Sequence, residues 1–442
     1  MSGHMSGYGP AGNMPGGKSG GPPAARTDAN DTPVDAFTEP AVRVGPRWIT
    51  SVVLVNVGIN VAFFGPIQVL LGNQAEAMDA QNKEAILALV TGCGAAVSLV
   101  ANPLFGAFSD RTTSRFGRRV PWVLIGALLG TFALLGLAGA PGAAAMAALW
   151  SVVQLGCNGA LAAITAAVPD RVPVQQRGNV GGLASMGTVL GIVGGAGVAS
   201  AVGGNFALGY AVCAAALLLG VLMYLFGARE DRLFPFQRPP WSWSSFLRGF
   251  WVSPRRYPDY GWAWLTRFLV NLGNHMVTLY LLYFLQDKVH YSDANTGVFI
   301  LTGIYACTTL ITAVLGGLWS DRTAKRKPFV MGSSAIIALA SLILAFLPTW
   351  TGAMVGAAVL GIGYGAYLAV DFALLTQVLP SAVSRGRDLG VINIANSLPQ
   401  VLAPLVAFPL VQFLGGYVTL YVVAAVIGLL GAVFVVRIRG VE

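Results

Sequence analysis

Charge is what this sequence has least of. Acidic and basic side chains together make up 10% of its 442 residues, whereas a water-soluble domain carries about 25%. An aqueous surface over most of the chain is thereby excluded. Histidine is rarer still, at three residues, and no two sit at the helical spacing of a metal site. The four cysteines, Cys93, Cys157, Cys213 and Cys307, each fall inside an apolar run, which excludes a disulfide framework or zinc knuckle. The net charge of +9 is spread over short loops and not gathered on a soluble fold, so nucleic acid is not an expected partner. No enzyme activity, cofactor or metal is expected.

What is present is apolar and long. Hydrophobic residues make up 55% of the chain, mean hydropathy is +0.68, and there are 56 glycines, as suits helices that pack closely in lipid. Residues 1–47 are rich in Gly, Pro and Ser without apolar periodicity, and are expected to form a disordered tail. From Trp48 onward, apolar stretches recur, each long enough for a bilayer core that takes about 20 helical residues. They fall near 48–71, 85–108, 121–139, 142–168, 180–202 and 206–226. After a polar connection at 227–259, six more lie near 260–284, 296–319, 328–348, 352–379, 389–414 and 417–436. The runs do not alternate as barrel strands do. The reading is an all-α integral membrane protein with twelve transmembrane helices in two six-helix bundles, 48–226 and 260–442.

Of the 27 lysines and arginines, all but Lys83, Lys288 and the intramembrane Arg267 fall on one side of this topology. By the positive-inside rule, both termini and the central loop are cytoplasmic in a multi-pass plasma-membrane (inner-membrane) protein.

The halves repeat. Helix 2 ends in Gly106-Ala-Phe-Ser-Asp110-Arg111-Thr112, and helix 8 in Gly317-Leu-Trp-Ser-Asp321-Arg322-Thr323. Such paired halves are the parallel repeats of a secondary transporter. The first loop, from Gly106 through Asp110, Arg111, Arg115 and Gly117 to Arg118 and Arg119, resembles the loop 2–3 motif of the major facilitator superfamily. Its Arg115-Phe-Gly117-Arg118-Arg119-Val-Pro121 portion is similar to the sucrose–proton symporters and the glycoside–pentoside–hexuronide branch, as is Val370-Asp371 through Pro380. The resemblance implies a conformational latch in these loops and a central cavity lined by helices 1, 4, 7 and 10. Glycine at 106 would let a second helix approach closely, and Asp110 would accept from arginines or face a helix N-terminus. The arginines would also anchor the topology.

Ionisable groups inside a membrane are costly and mark function by default. Only Arg267 and Asp371 lie clearly within spans, at similar depth on helices 7 and 10. They are expected to pair, and with His275 they are the candidates for proton coupling. Polar residues at helical spacing supply cavity candidates: Asn56 and Asn60 on helix 1, Gln154 and Asn158 on helix 4, Asn271 on helix 7, Tyr364 and Tyr367 on helix 10, Asn396 on helix 11. Amides and tyrosines both donate and accept, which suits hydroxyl-rich solutes; each could equally bond a neighbouring helix. The first-half spans hold no acid, so the early-helix carboxylates of sodium-coupled sugar permeases in this branch are missing.

The expected function is secondary active transport by alternating access, with proton-coupled uptake of a sugar or glycoside. The alternative is an exporter of a drug-like or secreted metabolite, although helix 5, Gly187-Thr-Val-Leu-Gly191-Ile-Val-Gly194-Gly195, lacks the proline of the drug–proton antiporters it would resemble. The expected partners are a small-molecule substrate, the proton and the lipid bilayer, and the expected state is a monomer.

Overall fold

The structure is a computed structural model of the chain, which describes residue 40 and residues 42–202, 204–227, 233–238, 242–248, 254–323, 326–378 and 385–439. The tail 1–39 and parts of the central loop lie outside the described residues. That tail includes Gly12-Asn-Met-Pro-Gly-Gly17-Lys18-Ser19, a spacing match to phosphate-binding loops that the apolar reading passes over. Such a loop acts only between a strand and a helix, and the motif itself lies outside the described residues.

The first half comprises α1 (Pro46–Met78), α2 (Lys83–Ser109), α3 (Val120–Leu137), α4 (Ala143–Arg171), α5 (Val174–Ala201) and α6 (Phe206–Gly227). The second comprises α7 (Pro258–Leu279 continued by Leu281–Val289), α8 (Ala294–Thr323), α9 (Lys327–Phe346), α10 (Trp350–Val378), α11 (Arg385–Phe413) and α12 (Gly416–Val435). Eleven are long and apolar enough to cross a membrane unbroken, and α7, bent by 48°, makes the twelfth. Helices satisfy their own backbone groups, which hydrocarbon cannot do for them.

The two halves pack alike. In the first, α1 contacts α4, α5 and α6, α4 contacts α2 and α3, and α3 contacts α6. Adding six to each number gives pairs that also pack: α7 with α10, α11 and α12, α10 with α8 and α9, α9 with α12. The seams between the halves, α2 with α11 and α5 with α8, exchange under the same operation. That is a two-fold relation between bundles read from packing alone. The helices at every third position, α3, α6, α9 and α12, face outward, with Phe132, Leu135, Leu219, Phe226, Leu339, Phe346, Leu430 and Val433 exposed. An apolar belt of this kind is fitted to lipid.

Glycines set the closest crossings. A Cβ on Gly126 of α3 would lie 2.4 Å from the carbonyl oxygen of Gly156 on α4, and the converse distance is also 2.4 Å. Gly156→Leu is therefore expected to lower the melting temperature in detergent, at an overpacking cost of about 1–3 kcal/mol. Gly106→Ala serves as the control, because nothing lies within 4 Å of a Cβ built there.

Two helices, α1 and α7, run past their expected far-face ends. Apolar content ends α1 near residue 71 and α7 near 284, yet α1 runs to Met78 and α7 to Val289. Each passes through a π-helical turn, Pro66–Leu70 in α1 and Leu285–Val289 in α7. Proline has no N–H to give the ladder, which accounts for the widened turn at Pro66. Both extensions project beyond the apolar run on the face away from the termini.

Candidate transport site and gates

In the second half, α7, α10 and α11 bring six of the named residues into one hydrogen-bonded chain. Arg267 and Asp371 form an ion pair through Nη1 and Oδ2. The other Asp371 oxygen accepts from the Tyr367 hydroxyl at 2.7 Å. Arg267 Nε donates to Asn396 Oδ1 at 2.6 Å, and Asn271 Nδ2 reaches the same oxygen at 3.1 Å. Tyr364 closes the run by donating to Asn271 Oδ1 at 3.1 Å. Tyr305 of α8 stacks on Tyr364 with ring centroids 6.2 Å apart. Asp371 is 6% exposed, so its charge depends on this pair. Breaking such a pair leaves a buried charge alone, which costs more than the pair itself contributes. His275 is half-buried on the same stripe of α7, and its ring makes no hydrogen bond among the described residues.

The first-half amides behave differently. Asn56 and Asn60 were expected to face a cavity, but they sit between α1 and α5. A Cβ on Gly187 would meet Asn56 Cβ at 3.3 Å, and one on Gly191 would meet Asn60 Cβ at 2.5 Å. Their amides donate to the carbonyls of Val52 and Asn56, four residues back, both at 2.8 Å. Gln154 packs against Gly94 of α2. Asn158 donates to the Gln154 backbone and side-chain oxygens, both at 2.9 Å. An amide in apolar surroundings bonds its own helix when no other acceptor is within reach. Asn158 alone of the four is half-buried rather than buried, and it remains the first-half candidate for a ligand.

On the face bearing the termini, the loop α2–α3 forms a compact charge cluster. Arg119 pairs with Asp110 at 2.5 Å and with Asp170 at 2.9 Å, and Arg118 pairs with Asp170 at 2.6 Å. Asp170, in the last turn of α4, is the partner that both arginines share. Gly117 adopts φ +97°, a conformation that glycine enters without strain. Arg115 is exposed and lies over the Phe116 ring, and Arg111 is half-buried beside a cavity it lines with Trp122 and Arg238. Among the described residues nothing lies within 4 Å of a Cβ built on Gly106, so no close helix approach is seen there. The side chains of Gly317, Asp321 and Arg322 lie outside the described residues.

On the far face the halves meet. Hydrogen bonds between described residues of opposite halves cluster there. Lys83 Nζ reaches Asp287 of α7 at 2.9 Å and Glu76 of α1 at 3.2 Å. Gln286 donates to Glu76 at 3.0 Å, and Tyr283 to the Gly72 carbonyl at 3.0 Å. Asn73 donates to Asn295 at 2.9 Å, and the Ser200 and Thr296 hydroxyls are 3.1 Å apart. Asp293, in the loop before α8, accepts from the Thr296 hydroxyl and backbone N–H, which holds its carboxyl below the ordinary value. The sequence reading placed Lys83 in a loop as a topology charge; it is instead the ion that joins the halves.

A far face joined in this way across the halves is the shut gate of a two-bundle carrier. The Major Facilitator Superfamily profile matches residues 48–301 and 263–442. The chain belongs to that superfamily. Solved structures similar to it include a POT family transporter in complex with a thioalcohol conjugated peptide (TM-score 0.72, 12% identity, 89% of this chain and 96% of that one). The nucleoside transporter NupG aligns with TM-score 0.68 at 14% identity over 88% of this chain and 98% of its own. A bacterial homolog of the human lysosomal transporter Spinster, inward-facing and unoccupied, aligns with TM-score 0.65 at 16% identity over 89% and 96%. Comparison with curated proteins finds no match. At these identities the likeness concerns the fold. The superfamily's members are transporters, and this one carries a buried ion pair in its second bundle and an ionic seal on the far face.

Proposed function

We propose that this superfamily member is a proton-coupled importer of a neutral, hydroxyl-rich solute, a sugar or glycoside, and that it works by alternating access. The face bearing the termini is then cytoplasmic, as the basic loops favour, and the joined far face is the outer gate, shut. The single observation that carries the reading is the run Tyr364–Asn271–Asn396–Arg267–Asp371–Tyr367. A proton on Asp371 would dissolve its pair with Arg267 and free the guanidinium and Tyr367 to rearrange. The tyrosines and amides of the same run present paired donors and acceptors that match vicinal hydroxyls. The loop and α10 resemblance to the sucrose–proton and glycoside–pentoside–hexuronide branch supports the same class.

Uptake into proteoliposomes tests it. A panel of sugars and glycosides, with nucleosides and peptides beside them, is offered with and without an inward proton gradient. One sugar or glycoside should accumulate only with the gradient. Asp371→Asn should abolish accumulation while leaving exchange of labelled for unlabelled solute. Gradient-driven uptake unchanged in Asp371→Asn would remove this residue from coupling, and extrusion of a drug-like cation in place of sugar uptake would favour the exporter.

A further inference from the structure

The far-face gate holds more negative charge than it has partners for. Lys83 lies between Glu76 and Asp287, and each of those carboxylates has both oxygens engaged: Glu76 by Lys83 and Gln286, Asp287 by Lys83 and Tyr417. A third carboxylate, Glu84, stands beside Lys83 in the first turn of α2 and is 8% exposed. It meets its own backbone N–H, and among the described residues no side chain donates a hydrogen bond to it. The charged groups around it are Lys83, Asp287 and Glu76, and the hydroxyls are those of Tyr280, Tyr283 and Tyr417. The Tyr280 hydroxyl, on a fully buried residue, and the Oε1 of Gln286 have no hydrogen-bond partner among the described residues.

Lys83 is therefore shared between two carboxylates, and Glu84, the most buried of the three, has no ion pair among the described residues. A carboxylate held out of water without an ion pair resolves that cost by holding a proton. The N-terminus of α2 offers Glu84 some positive potential, but Lys83, the nearest full charge, is already divided between two other acids. The geometry points to Glu84 as a proton-binding site of the gate, protonated while the halves are joined and ionised when they part and water reaches it.

The sign follows from linkage. The shut gate binds one proton more than the open gate, so lowering the pH favours the shut gate. The shut-to-open ratio changes by up to about tenfold per pH unit in the range between the two affinities. A proton taken up here as the gate closes would enter from the outer side. That direction alone rests on the orientation proposed above; the site itself is independent of Asp371.

Spin labels at Ala80 and Ser292, both exposed on the far face, would follow the seam by double electron–electron resonance. The full chain in nanodiscs, its four native cysteines replaced by serine, provides the parent. Its short-distance population should grow as pH falls. Glu84→Gln should hold that population high with a much reduced response to pH, Glu84→Asp should restore the response with a displaced midpoint, and Asp371→Asn should still respond to pH through Glu84. A parent without pH response would overturn the proposal. So would a Glu84→Gln protein that responds like the parent, or Glu84→Asp with an unmoved midpoint. If the pH response survives these tests while Asp371→Asn still accumulates solute, the gate site stands and the coupling role of Asp371 falls.

Discussion

Arg267→Leu is expected to abolish gradient-driven uptake and to destabilise the fold by about 3–5 kcal/mol, because it strands the Asp371 carboxylate in a buried site. Tyr367 would remain as its one strong donor, and Asn396 would lose the shorter of its two bonds. The double substitution Arg267→Leu with Asp371→Leu separates structure from transport. Replacing both members of a buried pair by apolar residues is often neutral for stability, so the double variant should melt near the parent and still fail to accumulate solute. Thermal melting in detergent and proteoliposome uptake read the two effects apart. Recovery of uptake along with stability would reduce the pair to a structural tie.

The second large effect concerns the far face. The hydroxyl oxygens of Ser200 on α5 and Thr296 on α8 are 3.1 Å apart, a separation that cysteines at the same places can bridge with small adjustment. Ser200→Cys with Thr296→Cys, in a background without the native cysteines, should form a disulfide under oxidising conditions and stop transport completely. Reductant should restore it, and neither single substitution should respond. Loss of the Thr296 hydroxyl bond to Asp293 weakens the start of α8 in the single variant as well, so that effect is subtracted by the control. Full transport in the oxidised protein would mean that this seam does not part during the cycle.

Much of the architecture could be read from hydropathy, because a membrane helix must be apolar over its whole length and closed loops must be short. Arg267 and Asp371 were legible for the same reason: a charge is conspicuous when everything around it is apolar. The far-face gate was not. Glu76, Lys83 and Asp287 sit where the apolar runs end, and residues there read as solvent-facing loops; their meeting depends on contacts more than 200 positions apart in sequence. The first-half amides show the opposite failure. A polar stripe on a helix is equally suited to a cavity and to a glycine-bearing neighbour, and only the placement of Gly187 and Gly191 on α5 decided for the neighbour at Asn56 and Asn60. Asp170 escaped notice because its partners lie in another loop of the same bundle.

The π-turn of α1 and the 48° bend of α7 lie just inside the segments that carry the far-face gate. Glu76 and Gly72 hang beyond the first break, and Tyr283, Gln286 and Asp287 beyond the second. Each gate is thus a short tip on a jointed stem. A tip can swing about its joint while the stem below keeps its packing, so sealing one mouth does not have to wait for the whole bundle to rotate. Helices jointed in this way allow both mouths to be shut at once, and a carrier so built can hold its cargo without ever being a channel.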